Sequence, residues 1–102
     1  MAIKQVAILG STGSIGVNTL DVIRAHPERF KVAALTASKQ VDRLAQQCIE
    51  FKPAIAVLAD ADGAARLEKL LRDQNINTQV LYGPQALVTA VTDRSEEHTS
   101  EL

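Results

Sequence analysis

Three glycines at a spacing of three, Gly10, Gly13 and Gly16, stand between the apolar run Val6-Ala7-Ile8-Leu9 and the segment Val17-Asn18-Thr19-Leu20-Asp21-Val22-Ile23. Residues of this type in this order can bind phosphate. Gly10 lets the chain turn tightly as it leaves a strand, and Gly13 lets backbone N–H groups approach a diphosphate without a Cβ in the way. Gly16, one turn into a helix, allows that helix to pack close against the strand. The unpaired N–H groups of the helix's first turn, with its dipole, then attract the anion. The spacing is G-x-x-G-x-x-G, a variant of the G-x-G-x-x-G dinucleotide fingerprint, and its strand-before, helix-after setting is what supports the reading. No Gly-Lys-Ser or Gly-Lys-Thr follows, which disfavours a Walker phosphate loop. The competing reading is a plain strand-to-helix turn with no ligand.

About 20 residues beyond such a turn, an NAD site carries an acidic side chain for the ribose 2′-hydroxyl. Here that place reads Thr36-Ala37-Ser38-Lys39-Gln40 and holds no carboxylate. It offers a hydroxyl, a cation and an amide. A 2′-phosphate is attracted by Lys39 where an acid would repel it, so NADP is favoured over NAD. The alternative for Lys39 is a solvated loop lysine. Asp42 is the nearest acid, but it falls within the next helix and serves its exposed face or N-terminus.

Other reactive residue types find no partners. Cys48 lies on an apolar helical stripe and reads as a packed core cysteine, with no histidine placed to activate it. His26 precedes Pro27 at a helix end, where a dipole or capping role fits. Asp60 and Asp62 read as a turn and a helix cap. No acid/base pair and no metal site is assembled, so catalytic and metal residues are expected outside this sequence.

The elements that position the glycine turn alternate strand and helix. Lys4–Leu9 reads as a buried strand because Val6 to Leu9 is continuously apolar. Ser14 to about Ala25 is the first helix, stopping before Pro27. Lys31–Leu35 completes a βαβ unit, with the second strand beside the first. Val41, Leu44, Ala45 and Cys48 mark a second helix that ends near Phe51, ahead of Pro53. Ile55–Leu58 is a third strand. Asp60 or Asp62 caps a third helix with Leu67, Leu70 and Leu71 as its apolar stripe. Thr78–Leu81 is a fourth strand, and Gln85–Val91 a further helical stretch. Alternation of this kind predicts an α/β fold, an open parallel Rossmann-like sheet with helices on both faces.

The 102 residues allow one domain at most, about half of a larger dinucleotide fold. With 46% hydrophobic residues but only Phe30, Phe51 and Tyr82 aromatic, the core must be aliphatic. The net charge is -1 and Lys and Arg are dispersed, which argues against nucleic-acid or membrane partners. Cys48 is the single cysteine, so no internal disulfide forms. No apolar run reaches membrane-spanning length, and the first strand begins almost at Met1. A cytoplasmic protein is the expectation.

The run Val6-Ala7-Ile8-Leu9-Gly10-Ser11-Thr12-Gly13-Ser14-Ile15-Gly16, with Thr19-Leu20-Asp21-Val22, closely resembles the N-terminus of the 1-deoxy-D-xylulose 5-phosphate reductoisomerase family. The likeness continues through Val32-Ala33-Ala34-Leu35, Lys39, Gln47-Cys48 and Glu50-Phe51. The resemblance implies NADPH as cofactor, with Thr12, Gly13, Ser14 and Ile15 at its diphosphate and Ser38, Lys39 and Gln40 around its 2′-phosphate. The family commonly has Gly-Lys-Asn where this chain has Ser38-Lys39-Gln40, and the lysine is retained. It further implies a homodimer that rearranges a ketose phosphate and reduces the resulting aldehyde to 2-C-methyl-D-erythritol 4-phosphate for isoprenoid synthesis, using Mg or Mn. The family's metal ligands, Asn-Lys-Glu substrate motif and phosphate site come later than this sequence extends.

Residues 94–102, Arg-Ser-Glu-Glu-His-Thr-Ser-Glu-Leu, match the in-frame translation of a common short-read sequencing adapter, AGA TCG GAA GAG CAC ACG TCT GAA CTC. They are expected to be a non-native tail on a truncated domain of residues 1–93. They carry one arginine against three glutamates, so without them the net charge turns from -1 to +1. In the usual doubly wound order Thr78–Leu81 would pair with a later, missing strand, leaving an open edge, marginal folding and weak NADPH binding. Two other functions fit the residues, another NADP-dependent Rossmann dehydrogenase such as the semialdehyde type, and a non-catalytic nucleotide-sensing module.

Overall fold

A computed structural model describes residues 3–86 and the backbone of residues 97–100. Five parallel strands form one sheet in the order β4-β3-β2-β1-β5, where β1 is Lys4–Leu9, β2 Phe30–Thr36, β3 Ile55–Leu58, β4 Gln79–Tyr82 and β5 Glu97–Ser100. Helices α1 (Ser14–Ala25), α2 (Val41–Phe51) and α3 (Ala61–Asp73) are the crossovers between β1, β2, β3 and β4. Each of these three crossovers steps the same way along the sheet. Right-handed connections in one direction place their helices on one face.

That face holds the larger core. Leu20 and Ile23 of α1, Val41, Leu44, Ala45 and Cys48 of α2, and Leu67 and Leu71 of α3 pack in one cluster with Val6, Ile8, Val32, Leu35, Ala56 and Leu58 of the strands. The second face is built from smaller strand residues, Ala7 and Ala34 with Ile55 and Val57, against which Leu81 and Ala86 pack. Ala86 belongs to the helical residues 84–86, so helical structure meets both faces. Of the helix expected over 85–91, residues 87–91 lie outside the described residues.

The run Val32-Ala33-Ala34-Leu35 does not alternate simply. The pairing shifts by one between Val6 and Ala7, from Val6 opposite Val32 to Ala7 opposite Ala34, leaving Ala33 as the extra residue. A bulge of this kind resets the side-chain alternation, so Val32 and Leu35 reach the same cluster while Ala34 joins the other.

Most boundaries agree with the sequence reading to within a residue. Asp60 is the cap of α3, accepting from the Gly63 amide at 2.8 Å, and Asp62 lies in the first turn. Leu70 departs from the expected stripe; it is 36% exposed, and Ala64 takes its place beside Leu67 and Leu71. At 100° per residue, positions 64, 67 and 71 share a face that 70 leaves. The strand order also departs from the pairing expected for the fourth strand. β4 pairs with β3 at one end of the sheet, and no strand lies beyond it among the described residues, while Glu97–Ser100 run alongside β1 from Val6 to Leu9. His26 is the C-cap of α1, and Arg24 in the last turn forms a two-pronged pair with Glu50 of α2.

Candidate functional site

The carboxyl ends of β1 and β2 lie side by side, and the two segments singled out from the sequence leave from them. Gly10 sits at φ +73°, in the left-handed region that favours glycine, and the chain closes a tight turn through the Gly13 amide donating to the Gly10 carbonyl at 3.0 Å. Gly13 itself is extended, at φ -80° and ψ 174°, and is the N-cap of α1. No residue type is required there by backbone conformation.

Gly16 is needed more strictly. A Cβ there would stand 2.4 Å from the Gly10 carbonyl oxygen, 2.6 Å from Ser11 Cα and 2.9 Å from the Ser11 carbonyl carbon. The close approach is therefore between the helix and the turn that precedes it, not between the helix and the strand as its spacing suggests, and only glycine permits it.

The turn is also bonded to its neighbours. The Gly10 amide donates to the Thr36 hydroxyl at 2.9 Å, and the Ser11 amide donates to the Thr36 carbonyl at 2.8 Å. Ser11 is fully buried, and its hydroxyl donates to Gln47 Oε1 at 2.7 Å while Gln47 Nε2 donates to the Ser11 carbonyl at 2.8 Å. Thr36, Ser11 and Gln47 were assigned no such role from sequence. Thr36, which counted among the groups offered at the end of β2, uses its hydroxyl as acceptor for the turn. A glutamine one residue before a buried cysteine on an amphipathic helix was the available signal for Gln47.

The opening of α1 is electrostatically bare. No side chain caps it and no acidic residue lies in its first turn. Helix geometry leaves the amides of Ser14, Ile15 and Gly16 without intrahelical acceptors, and the dipole adds positive potential at that end. Thr12 and Gly13 are half-buried, Ser14 is exposed, and Ile15 is 50% exposed despite its apolar side chain. Beyond β2, Ser38, Lys39 and Gln40 are all exposed and lead directly into α2. The bonds from Gly10 and Ser11 to Thr36 thus tie the anion-seeking helix start to the loop that carries Lys39. Asp42, the nearest acid, lies in the first turn of α2.

Cys48 is wholly buried, and burial pushes its thiol up to about 12, which suits packing and not nucleophilic chemistry. Among the described residues, no group of three or more His, Cys, Asp or Glu is gathered that could hold a metal ion.

Residues 6–99 match the family model described as 1-deoxy-D-xylulose 5-phosphate reductoisomerase. The chain is 55% identical over 85 residues to the enzyme of that name from Paraburkholderia xenovorans, covering 83% of this chain and 21% of the relative. It is 56% identical over 84 residues to that of Janthinobacterium sp., covering 82% and 22%. Among solved structures it resembles the reductoisomerase from Zymomonas mobilis in complex with NADPH, at TM-score 0.87 and 33% identity over 95% of this chain and 25% of that one. A DOX-P reductoisomerase in complex with NADPH, fosmidomycin and magnesium matches at TM-score 0.85 and 37% identity, over 90% and 22%. The chain therefore spans about a fifth of the length of the curated relatives it matches.

Proposed function

The chain belongs to the 1-deoxy-D-xylulose 5-phosphate reductoisomerase family, and from that premise we propose that it is the NADPH-binding portion of such an enzyme. One observation carries the reading. The turn at Gly10 is bonded to the end of β2, so the unpaired amides of α1 and the loop of Lys39 open at the same edge of the sheet. That edge, at the carboxyl ends of the parallel strands β1 and β2, is where nucleotides bind in folds of this type.

In this reading the backbone of Thr12, Gly13, Ser14 and Ile15 holds the cofactor's diphosphate, and Ser38, Lys39 and Gln40 surround its 2′-phosphate. NADPH supplies the hydride for the parent reaction, reduction of the aldehyde formed by rearranging 1-deoxy-D-xylulose 5-phosphate. The residues here bind and orient; none of them moves a proton or ligates a metal. The divalent metal and the sugar phosphate belong to parts of the enzyme outside this sequence, and the chain alone has no turnover. The same reading makes the whole enzyme a cytoplasmic homodimer with no nucleic-acid or membrane partner. No described helix is long and apolar enough to cross a membrane. We take residues 1–93 as the cofactor-binding part and read 94–102 as a non-native tail on the strength of their adapter-like sequence, even though Glu97–Ser100 run beside β1 and the family match reaches residue 99.

Titrating the chain with NADPH and with NADH, followed by nicotinamide fluorescence, tests the proposal. NADPH binds more tightly than NADH by about tenfold or more, and Lys39→Glu removes that difference by replacing an attractive charge with a repulsive one. Equal affinity for both dinucleotides in the unmodified chain would return Lys39 to a solvated loop lysine. Reduction of 1-deoxy-D-xylulose 5-phosphate by the purified chain would contradict the placement of catalysis elsewhere.

A further inference from the structure

Gln47 is a polar side chain on the inner half of α2, between Leu44 and Cys48, which are both wholly buried. Its amide spans two atoms of a single residue, Ser11, in the middle of the glycine turn. The orientation of that amide is dictated by chemistry. The Ser11 carbonyl can only accept, so Nε2 must face it at 2.8 Å; Oε1 then faces the Ser11 hydroxyl, which must donate across 2.7 Å. The hydroxyl has one proton, and the Thr36 carbonyl lies farther off, at 3.3 Å. Both bonds to Gln47 are therefore used, and they hold Ser11 from one side while the Thr36 carbonyl holds its amide from the other.

We infer that Gln47 is a positioning residue for the diphosphate subsite. It touches no ligand. It holds Ser11 so that the amides of Thr12, Ser14 and Ile15 keep the direction an anion needs, while the Gly13 amide closes the turn onto the Gly10 carbonyl. The inference rests on the NADPH reading above and adds a residue of α2 to it. The opening of α1 lacks a side-chain cap of its own, unlike α3, where Asp60 orders the first turn. In α1 the order of the turn preceding the helix comes instead from across the sheet, through Thr36 and Gln47.

The test compares the unmodified chain with Gln47→Leu, which keeps the volume and removes both bonds, and Ser11→Ala, which removes only the hydroxyl bond. Three probes are titrated: NADPH, inorganic pyrophosphate for the glycine turn, and adenosine 2′-phosphate for the Lys39 loop. Loss of two hydrogen bonds that order a turn predicts affinity for NADPH and pyrophosphate about tenfold weaker in Gln47→Leu and less so in Ser11→Ala. Adenosine 2′-phosphate binds as before. The double variant is no weaker than Gln47→Leu alone, because both changes break the same contact. A general structural role would weaken all three probes together, and that result, or pyrophosphate binding unchanged in Gln47→Leu, overturns the inference. Should Gln47→Leu not fold, Ser11→Ala carries the same probe comparison, read by the same rule. If the unmodified chain binds neither NADPH nor pyrophosphate, the NADPH reading itself falls and the inference falls with it.

Discussion

Replacing Gly16 by alanine places one methyl group where the structure has no room. Its Cβ would lie 2.4 Å from the Gly10 carbonyl oxygen, and about 0.6 Å of separation is needed merely to reach 3.0 Å, the limit of real Cβ contacts. The three obstructing atoms are all backbone, so none can swing aside as a side chain would. Overpacking a rigid site costs about 1–3 kcal/mol, and the better helix propensity of alanine offsets up to about 1 kcal/mol of that. With backbone on every side the upper end applies, leaving a net loss of about 2 kcal/mol. For a domain of this size that is a fall of roughly 10 °C in Tm. The displaced α1 start should also weaken NADPH binding. Gly63 is the internal control. It occupies the same third position of its own helix, α3, but a Cβ there meets only side-chain atoms, Asp60 Oδ1 at 3.1 Å, Leu58 Cδ1 at 3.4 Å and Val41 Cγ2 at 3.5 Å. Gly63→Ala should therefore change stability by less than about 1 kcal/mol, with propensity and crowding nearly cancelling. Thermal melts by far-UV circular dichroism and NADPH titrations of the two variants decide the matter. A Gly16→Ala chain that melts no lower than the Gly63→Ala chain, with NADPH affinity intact, would refute the close-approach argument.

Asp60→Ala removes the side chain that accepts from the Gly63 amide, and a lost cap of this kind lowers stability by about 1 kcal/mol, measurable as a shift in the urea midpoint. Cys48 links stability to pH. Burial raises its thiol from an ordinary value of 9.0 to about 12, so the unfolded chain releases the proton first and stability falls as pH rises from 9.0 towards 12. Cys48→Ala should lack that component, so the stability gap between it and the unmodified chain narrows with rising pH; a gap that stays constant would exclude the linkage. Below pH 9, the native thiol should also resist a disulfide reagent at concentrations that label the unfolded chain at once.

The reading of α1 and its glycine turn came directly from residue order, because strand, turn and helix there are local in sequence. The apolar stripes of α1 and α2 and the Asp60 cap follow from periodicity and side-chain chemistry over one or two turns. Leu70 was misplaced because a stripe one residue too wide looks the same in sequence as the true one. The alternation within Val32-Ala33-Ala34-Leu35 was not legible at all, since a bulge depends on how the neighbouring strand β1 pairs with it. Of the site itself, the anion-seeking amides and the Lys39 loop could be anticipated, while the bonds that hold them together could not.

The chain by itself determined the alternating elements, the aliphatic core and the kinds of group presented at the ends of β1 and β2. These are matters of short-range sterics, burial and charge. Only the tertiary structure decided the strand order, with β4 beside β3 and β5 beside β1, and the role of Gln47 and Thr36 in fixing the turn. Gln47 lies 36 residues from Ser11, and no local rule joins them. Their meeting requires α2 to pack on the same face of the sheet as α1, so that the middle of a helix and the turn after a strand come within hydrogen-bonding distance.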